Sequence, residues 1–250
     1  MNMPMNTLMN TRTNTPLKRI DVSNLSKHFT LHLQGGMHLP ILSDIDLQVD
    51  AGECVVLHAP SGAGKSTLLR CLYANYRASS GCVRIRHDDA WVDIASAPAH
   101  QIHAVRQSTL GFVTQFLRVI PRISTIDLVT QPLLARGVPA AEAVEQAAAM
   151  LDRLGIAQRL WNVPPATFSG GEQQRVNIVR TLICDFPVLL LDEPTASLDD
   201  AGRNTVIRMI DERRASGVAI VGIFHDRTVR DALATRLFPI PALQPVTLVD

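Results

Sequence analysis

Eight consecutive residues, Ala59-Pro60-Ser61-Gly62-Ala63-Gly64-Lys65-Ser66, lie between an apolar run, Cys54 to Leu57, and a helix-like stretch that opens at Thr67 and runs to Tyr73. Glycines in such a loop let the backbone turn its amides inward, and the following helix directs the positive end of its dipole to the same point, which suits phosphate oxygens. A lysine at the position of Lys65 reaches the β and γ phosphates of a nucleoside triphosphate, and the Ser66 hydroxyl can ligate Mg²⁺. Taken alone, the segment also reads as a glycine-rich turn before an unrelated helix, because Ala59 stands where the pattern has glycine.

Two further groups carry chemistry. Leu189-Leu190-Leu191-Asp192-Glu193 is an apolar strand ending in adjacent carboxylates, and parallel sheets bind ligands at the carboxyl ends of their strands. Asp192 suits Mg²⁺ held through water, and Glu193 can orient or deprotonate an attacking water. The alternative is a solvated acidic turn after a buried strand. Ser169-Gly170-Gly171-Glu172 precedes Gln173 to Ile183, where Val176, Val179 and Ile183 share one helical face. Ser169 and Glu172 have the spacing of a capping box, whereas the two glycines permit close approach of a second anion to the helix start.

The elements that must position these groups are those of an α/β fold. Residues 18 to 58 alternate short apolar stretches with turn residues, and Asp44 to Asp50 has the period-2 alternation of a half-buried strand feeding the glycine-rich loop. From about Ile120 to Ala166 the pattern is helical, with Ala141 to Leu154 bounded by Pro139 and Gly155. Two apolar runs, Val188 to Leu191 and Val218 to Phe224, flank a helical stretch from about Arg203 to Ala215, which implies a parallel sheet.

At 250 residues the chain suits one large domain, expected over residues 18–240, with a helical subdomain at about 117–180 inserted in the core. Residues 1–17, rich in Met, Asn, Thr and Pro, read as a disordered leader containing alternative starts at Met3, Met5 or Met9, and 241–250 as a tail. With 24 basic and 23 acidic residues, the net charge of +1 argues against a nucleic-acid partner. No apolar run approaches the ~20 residues of a membrane helix. Four separated cysteines, Cys54, Cys71, Cys82 and Cys184, read as buried thiols of a reducing, cytoplasmic compartment.

The order glycine-rich loop, Gln115, Ser169-Gly170-Gly171, Asp192-Glu193, Ser197-Leu198-Asp199 and His225 resembles the ATP-binding-cassette ATPases, from Leu25 to Arg236. The resemblance implies a P-loop fold: a RecA-like parallel-sheet core, an N-terminal antiparallel β subdomain and a helical subdomain. It implies ATP and Mg²⁺ as ligands and Mg²⁺-dependent hydrolysis. By the same resemblance, Phe29 stacks on adenine, Gln115 touches Mg²⁺ or water and senses a partner, and His225 meets the γ-phosphate. Ser169, Gly170 and Gly171 match the signature motif, which in this family meets the γ-phosphate bound by the other subunit of a head-to-tail homodimer or cassette heterodimer. Asp199 would lie in the loop joining the two sites. Phe168 and Glu172 depart from the Leu and Gln usual there, and the Glu172 carboxylate is expected to turn toward its own helix cap.

Segments outside these motifs resemble more narrowly the cassette subunit of the carbon-phosphorus lyase system for phosphonate breakdown. They are Gly52 to His58, Leu72 to Tyr76, Gln115 to Arg122 and Leu160 to Phe168. That resemblance implies work with the other lyase subunits in making ribose 1-methylphosphonate 5-triphosphate from ATP and methylphosphonate. The alternative is the energising subunit of a membrane exporter of lipoprotein or macrolide type. The discriminating surface would be Phe116 to Ile120, which reads equally as a binding patch or a buried helix start.

Overall fold

The computed structural model describes residues 17–31, 36–117 and 121–241. The expected leader up to residue 16, the Arg118 to Ile120 part of the discriminating segment and the tail from residue 242 lie outside them.

An antiparallel hairpin comes first, β1 (Lys18–Leu31) with β2 (Met37–Asp50). Along β2 the side chains of Ile45, Leu47 and Val49 are buried and their neighbours are not, the alternation expected when one sheet face meets water. β3 (Cys54–His58) follows, and then α1 (Lys65–Leu72). β4 (Ser80–His87) and β5 (Ala90–Asp93) return to the first sheet, whose order is β2-β1-β4-β5. α2 (Ala99–Ser108) leads into β6 (Leu110–Val113).

The helical expectation downstream is met by α3 (Thr125–Leu134), α4 (Ala140–Arg153) and α5 (Gly170–Leu182). β7 (Val188–Asp192), α6 (Asp200–Ala215), β8 (Ala219–Ile223), α7 (Arg227–Leu233) and β9 (Arg236–Pro239) complete the described chain. β6, β7, β8, β3 and β9 pair in that order, all in parallel.

Both faces of this second sheet are covered, which explains why its strands read as continuous apolar runs rather than alternating ones. In β7, Val188 and Leu190 face one core with α1 and the antiparallel sheet, while Leu189 and Leu191 face another with α5 and α6. All four are essentially inaccessible. Truncating such a leucine to alanine costs about 2–5 kcal/mol, so the strand is anchored from both sides. Parallel pairing then brings the carboxyl ends of β3, β6, β7 and β8 to one edge; Lys65 opens the helix after the first of these, and the loops after the others hold Gln115, Glu193 and His225.

Candidate nucleotide-binding site

Gly64 closes the glycine-rich loop as the residue before α1, with φ at +91°, a conformation that L side chains avoid. A Cβ there would stand 2.8 Å from Leu42 Cδ2 and 2.9 Å from the Ile41 carbonyl oxygen, so the loop packs directly on β2. No side chain caps α1 and its first turn holds no acid, which leaves the amides at this helix start oriented toward an anion. These features fit a polyphosphate. The Lys65 ammonium bends back over the loop, donating to the carbonyl oxygens of Ala59 at 2.7 Å and Pro60 at 2.9 Å. Pro60, Ser61 and Gly62 are exposed, Ala63 and Thr67 half-buried.

One residue into the helix, Ser66 donates to Asp192 Oδ1 at 3.1 Å, across 126 residues of sequence. Asp192 is 4% exposed. Burial pushes its carboxyl above the ordinary range; the Ser66 hydrogen bond opposes this shift and the neighbouring Glu193 charge adds to it. A buried, incompletely compensated carboxylate beside a serine hydroxyl is a donor set of hard oxygens, which fits Mg²⁺.

Glu193 leaves the strand with φ at +51°. For a residue with a Cβ this is strained by about 1–3 kcal/mol. Its amide donates to the Ile223 carbonyl oxygen at 3.1 Å, extending the ladder between β7 and β8 by one step. The turn aims its side chain at His225, whose Nε2 lies 2.7 Å from Glu193 Oε1. Gln115 follows β6 and lines, together with Asp192, a cleft of about 740 Å³ whose walls include Arg70, Tyr73, Tyr76 and Arg106. Phe29 meets Tyr76 edge-on, ring centres 5.3 Å apart, with the Lys27 ammonium 4.8 Å from the Phe29 ring centre.

The remaining sequence-selected residues form a second cluster. Ser169 caps α5 in a complete capping box: its hydroxyl oxygen accepts from the Glu172 amide, and Glu172 Oε2 accepts from the Ser169 amide at 2.9 Å and hydroxyl at 2.7 Å. The Ser169 hydroxyl and amide hold the Glu172 carboxyl below the usual range, and the carboxylate lies against its own helix cap. Gly170 is open, but a Cβ on Gly171 would lie 2.8 Å from the Ser197 carbonyl oxygen, so the helix start abuts the loop of Ser197 to Asp199. Asp199 Oδ1 caps α6 through the Gly202 amide and accepts from the Arg175 guanidinium at 2.7 Å. Among the described residues no hydrogen bond joins Ser169, Gly170 or Gly171 to residues 59–67.

Sequence reasoning passed over three buried polar residues on α5. Gln174 donates to the Pro194 carbonyl oxygen at 3.1 Å, Asn177 to that of Thr114 at 2.7 Å, and Thr181 to Asn177 of its own helix at 3.2 Å, with the Phe112 carbonyl of β6 also in reach at 3.4 Å. Their spacing, three then four residues inside a helix otherwise buried by Val, Ile and Leu, is the signal that could have found them.

Of the discriminating segment, Leu117 is buried, whereas Phe116 is 72% exposed. The cysteine expectation holds for Cys54, Cys71 and Cys184, which are buried, while Cys82 is only partly so. Burial pushes the Cys54 thiol up to about 12 and that of Cys71 to about 11. Among the described residues no helix is long and apolar enough to cross a membrane.

Residues 42–196 match the family model described as ABC transporter. The chain is 38% identical over 229 residues to the pyoverdine export ATP-binding/permease protein PvdT of Pseudomonas fluorescens, covering 90% of this chain and 33% of that protein. It is 36% identical over 215 residues to the macrolide export ATP-binding/permease protein MacB of Sodalis glossinidius, covering 86% and 31%. The chain thus spans about a third of the length of these curated relatives. Among solved structures it is similar to the ATP-binding cassette MJ0796 in a dimeric post-hydrolysis state bound to ADP and Pi, with a TM-score of 0.80 at 26% identity over 88% of this chain and 94% of that one.

Proposed function

Because the chain belongs to the ABC transporter family of ATP-binding cassettes and is an ATPase of that family, we propose that it hydrolyses ATP at the carboxyl edge of its parallel sheet, as one half of a dimer, in the service of phosphonate breakdown. The observation that carries the site is the pairing of Ser66 with Asp192 at 3.1 Å beside the pairing of Glu193 with His225 at 2.7 Å. The loop from Ala59 to Thr67 would bind the triphosphate, with Lys65 turning from its own carbonyls to the β and γ phosphates.

Ser66, Asp192 and Gln115 would hold Mg²⁺, which when bound neutralises phosphate charge. Glu193 orients water and takes its proton, and His225 holds the Glu193 carboxylate against rotation. Phe29 offers the adenine a stacking face. Ser169, Gly170 and Gly171 serve the nucleotide of the facing subunit, with Asp199 placed between the two sites.

The reading of phosphonate breakdown, with carbon-phosphorus lyase subunits as partners, rests on where the segments resembling the lyase system's cassette subunit fall. Tyr73, Asn75 and Tyr76 share the cleft of Gln115, Phe116 and Leu117. The Leu160 to Phe168 segment anchors the start of α3, whose far end reaches the cleft at Pro132: Thr125 and Ile126 donate their amides to the carbonyl oxygens of Val163 and Trp161. Two of the four segments, Leu72 to Tyr76 and the described start of Gln115 to Arg122, thus flank Gln115, where a partner would sense the nucleotide state.

The second reading, an exporter ATPase, is favoured by the export proteins among the relatives. Growth separates the two. A cell carrying Lys65→Ala or Glu193→Gln in place of its only copy is expected to grow on phosphate and fail on methylphosphonate as sole phosphorus source. Wild-type growth on methylphosphonate, with the variant expressed, would return the exporter to first place, and a defect in envelope integrity or drug resistance on either phosphorus source would identify it.

A further inference from the structure

Helix α5 does more than present Ser169 to Gly171. Gln174, 3% exposed, spans to the carbonyl oxygen of Pro194, the residue after Glu193. Asn177, 6% exposed and three residues further along the same face, spans to the carbonyl oxygen of Thr114, the residue before Gln115. The Thr114 hydroxyl in turn donates to the Phe116 carbonyl oxygen at 2.7 Å, closing the turn on which Gln115 sits. Both receiving carbonyls belong to loops just past the strand ends, where no ladder bond fixes them. An unpaired buried carbonyl is costly, so each amide has one strongly favoured position.

We propose that Gln174 and Asn177 are positioning residues that clamp the backbone beside Gln115 and the backbone beside Glu193 to a single helix face. A displacement of the Gln115 turn is carried by this clamp to the Glu193 turn and to the helix start at Ser169, without passing through bound nucleotide. The consequence for function rests on the proposed roles of Gln115 and Glu193; the clamp itself does not.

The test uses the full chain with Asn177→Leu and Gln174→Met, which keep side-chain length and remove the donor. Thr130→Val serves as the control, since Thr130 is equally buried, donates within its own helix α3 to Asp127 and bonds neither loop. In the nucleotide-free protein, exchange of the Glu193 amide, which bonds the Ile223 carbonyl oxygen beside the clamped Pro194, is expected to quicken about tenfold in Gln174→Met and to stay at the wild-type rate in Thr130→Val. In turnover, kcat should fall about tenfold or more in both clamp variants while nucleotide affinity stays within about twofold, as misplacement without lost binding requires.

Wild-type exchange and kcat in folded clamp variants would overturn the proposal. So would a kcat loss that follows the fall in Tm equally in the control. If the wild-type chain turns over no nucleotide, the proposed function falls, while the exchange rate at Glu193 still supports or overturns the clamp.

Discussion

The two helix starts that sequence singles out, one at Gly64 and one at Ser169, are built for opposite circumstances. At Gly64 the helix has no side-chain cap, packs its loop on β2 and stands beside a buried carboxylate partnered by Ser66. At Ser169 the helix is fully capped by its own serine and glutamate, and its glycines meet open space and the Ser197 carbonyl. The first gathers its chemistry within one chain. The second has its serine and glutamate paired with each other and leaves Gly170 open, which suits the proposed site completed by a facing subunit.

The sharpest way to break this contrast is Glu193→Gln. If the Gly64 side holds the whole reacting machinery, turnover should fall by about 100-fold or more while nucleotide binding stays within about twofold, measured by phosphate release and by equilibrium binding. Unchanged hydrolysis would remove Glu193 from its role.

Next in size is a mixing experiment. Lys65→Ala and Ser169→Arg homodimers should both be inactive. When the two exchange subunits, half the dimers are mixed and each has one intact pair of helix starts, so activity should return to about a quarter of wild type. Exchange without recovery would show that the two starts do not meet across a dimer.

The smallest effect concerns stability. The Asp192 carboxyl is raised by burial, so the folded state holds its proton more tightly than the unfolded state. Its contribution is therefore present in full below the unfolded value and lost as pH rises through the folded one. Asp192→Asn should raise Tm at neutral pH by about 2–4 °C in nucleotide-free protein, with the gain shrinking in acid, while Mg²⁺-dependent turnover is lost. A lower Tm at neutral pH would show that Ser66 and its surroundings already compensate the charge.

Much of this architecture is legible from local pattern. β7 and β8 are announced by uninterrupted apolar runs, α4 by its composition between Pro139 and Gly155, and the first helix start by glycines beside lysine and serine. The span from Ser80 to Ser108 is quieter. β5 is a four-residue strand at a sheet edge, and α2 buries only Val105, so neither carries enough burial to imprint a period. The partnerships of Asp199 with Arg175, and of Asn177 with Thr114, join residues 24 and 63 positions apart. Such pairs follow from tertiary geometry, to which a local pattern is blind. The turn of Glu193 into left-handed φ is equally silent, since nothing about a glutamate announces it.

The Lys65 ammonium, tethered to the carbonyls of Ala59 and Pro60, has a thermodynamic corollary. A free lysine side chain samples many rotamers and surrenders that entropy when it docks on a ligand. This one has surrendered it during folding, and its loop partners stand in for solvent. On the proposed function, phosphate arrival would be an exchange of acceptors around a cation already held in place. The lysine's own share of association should accordingly be nearly neutral in side-chain entropy, with its selectivity residing in charge: an anion can outbid two neutral carbonyls, and an uncharged nucleoside cannot.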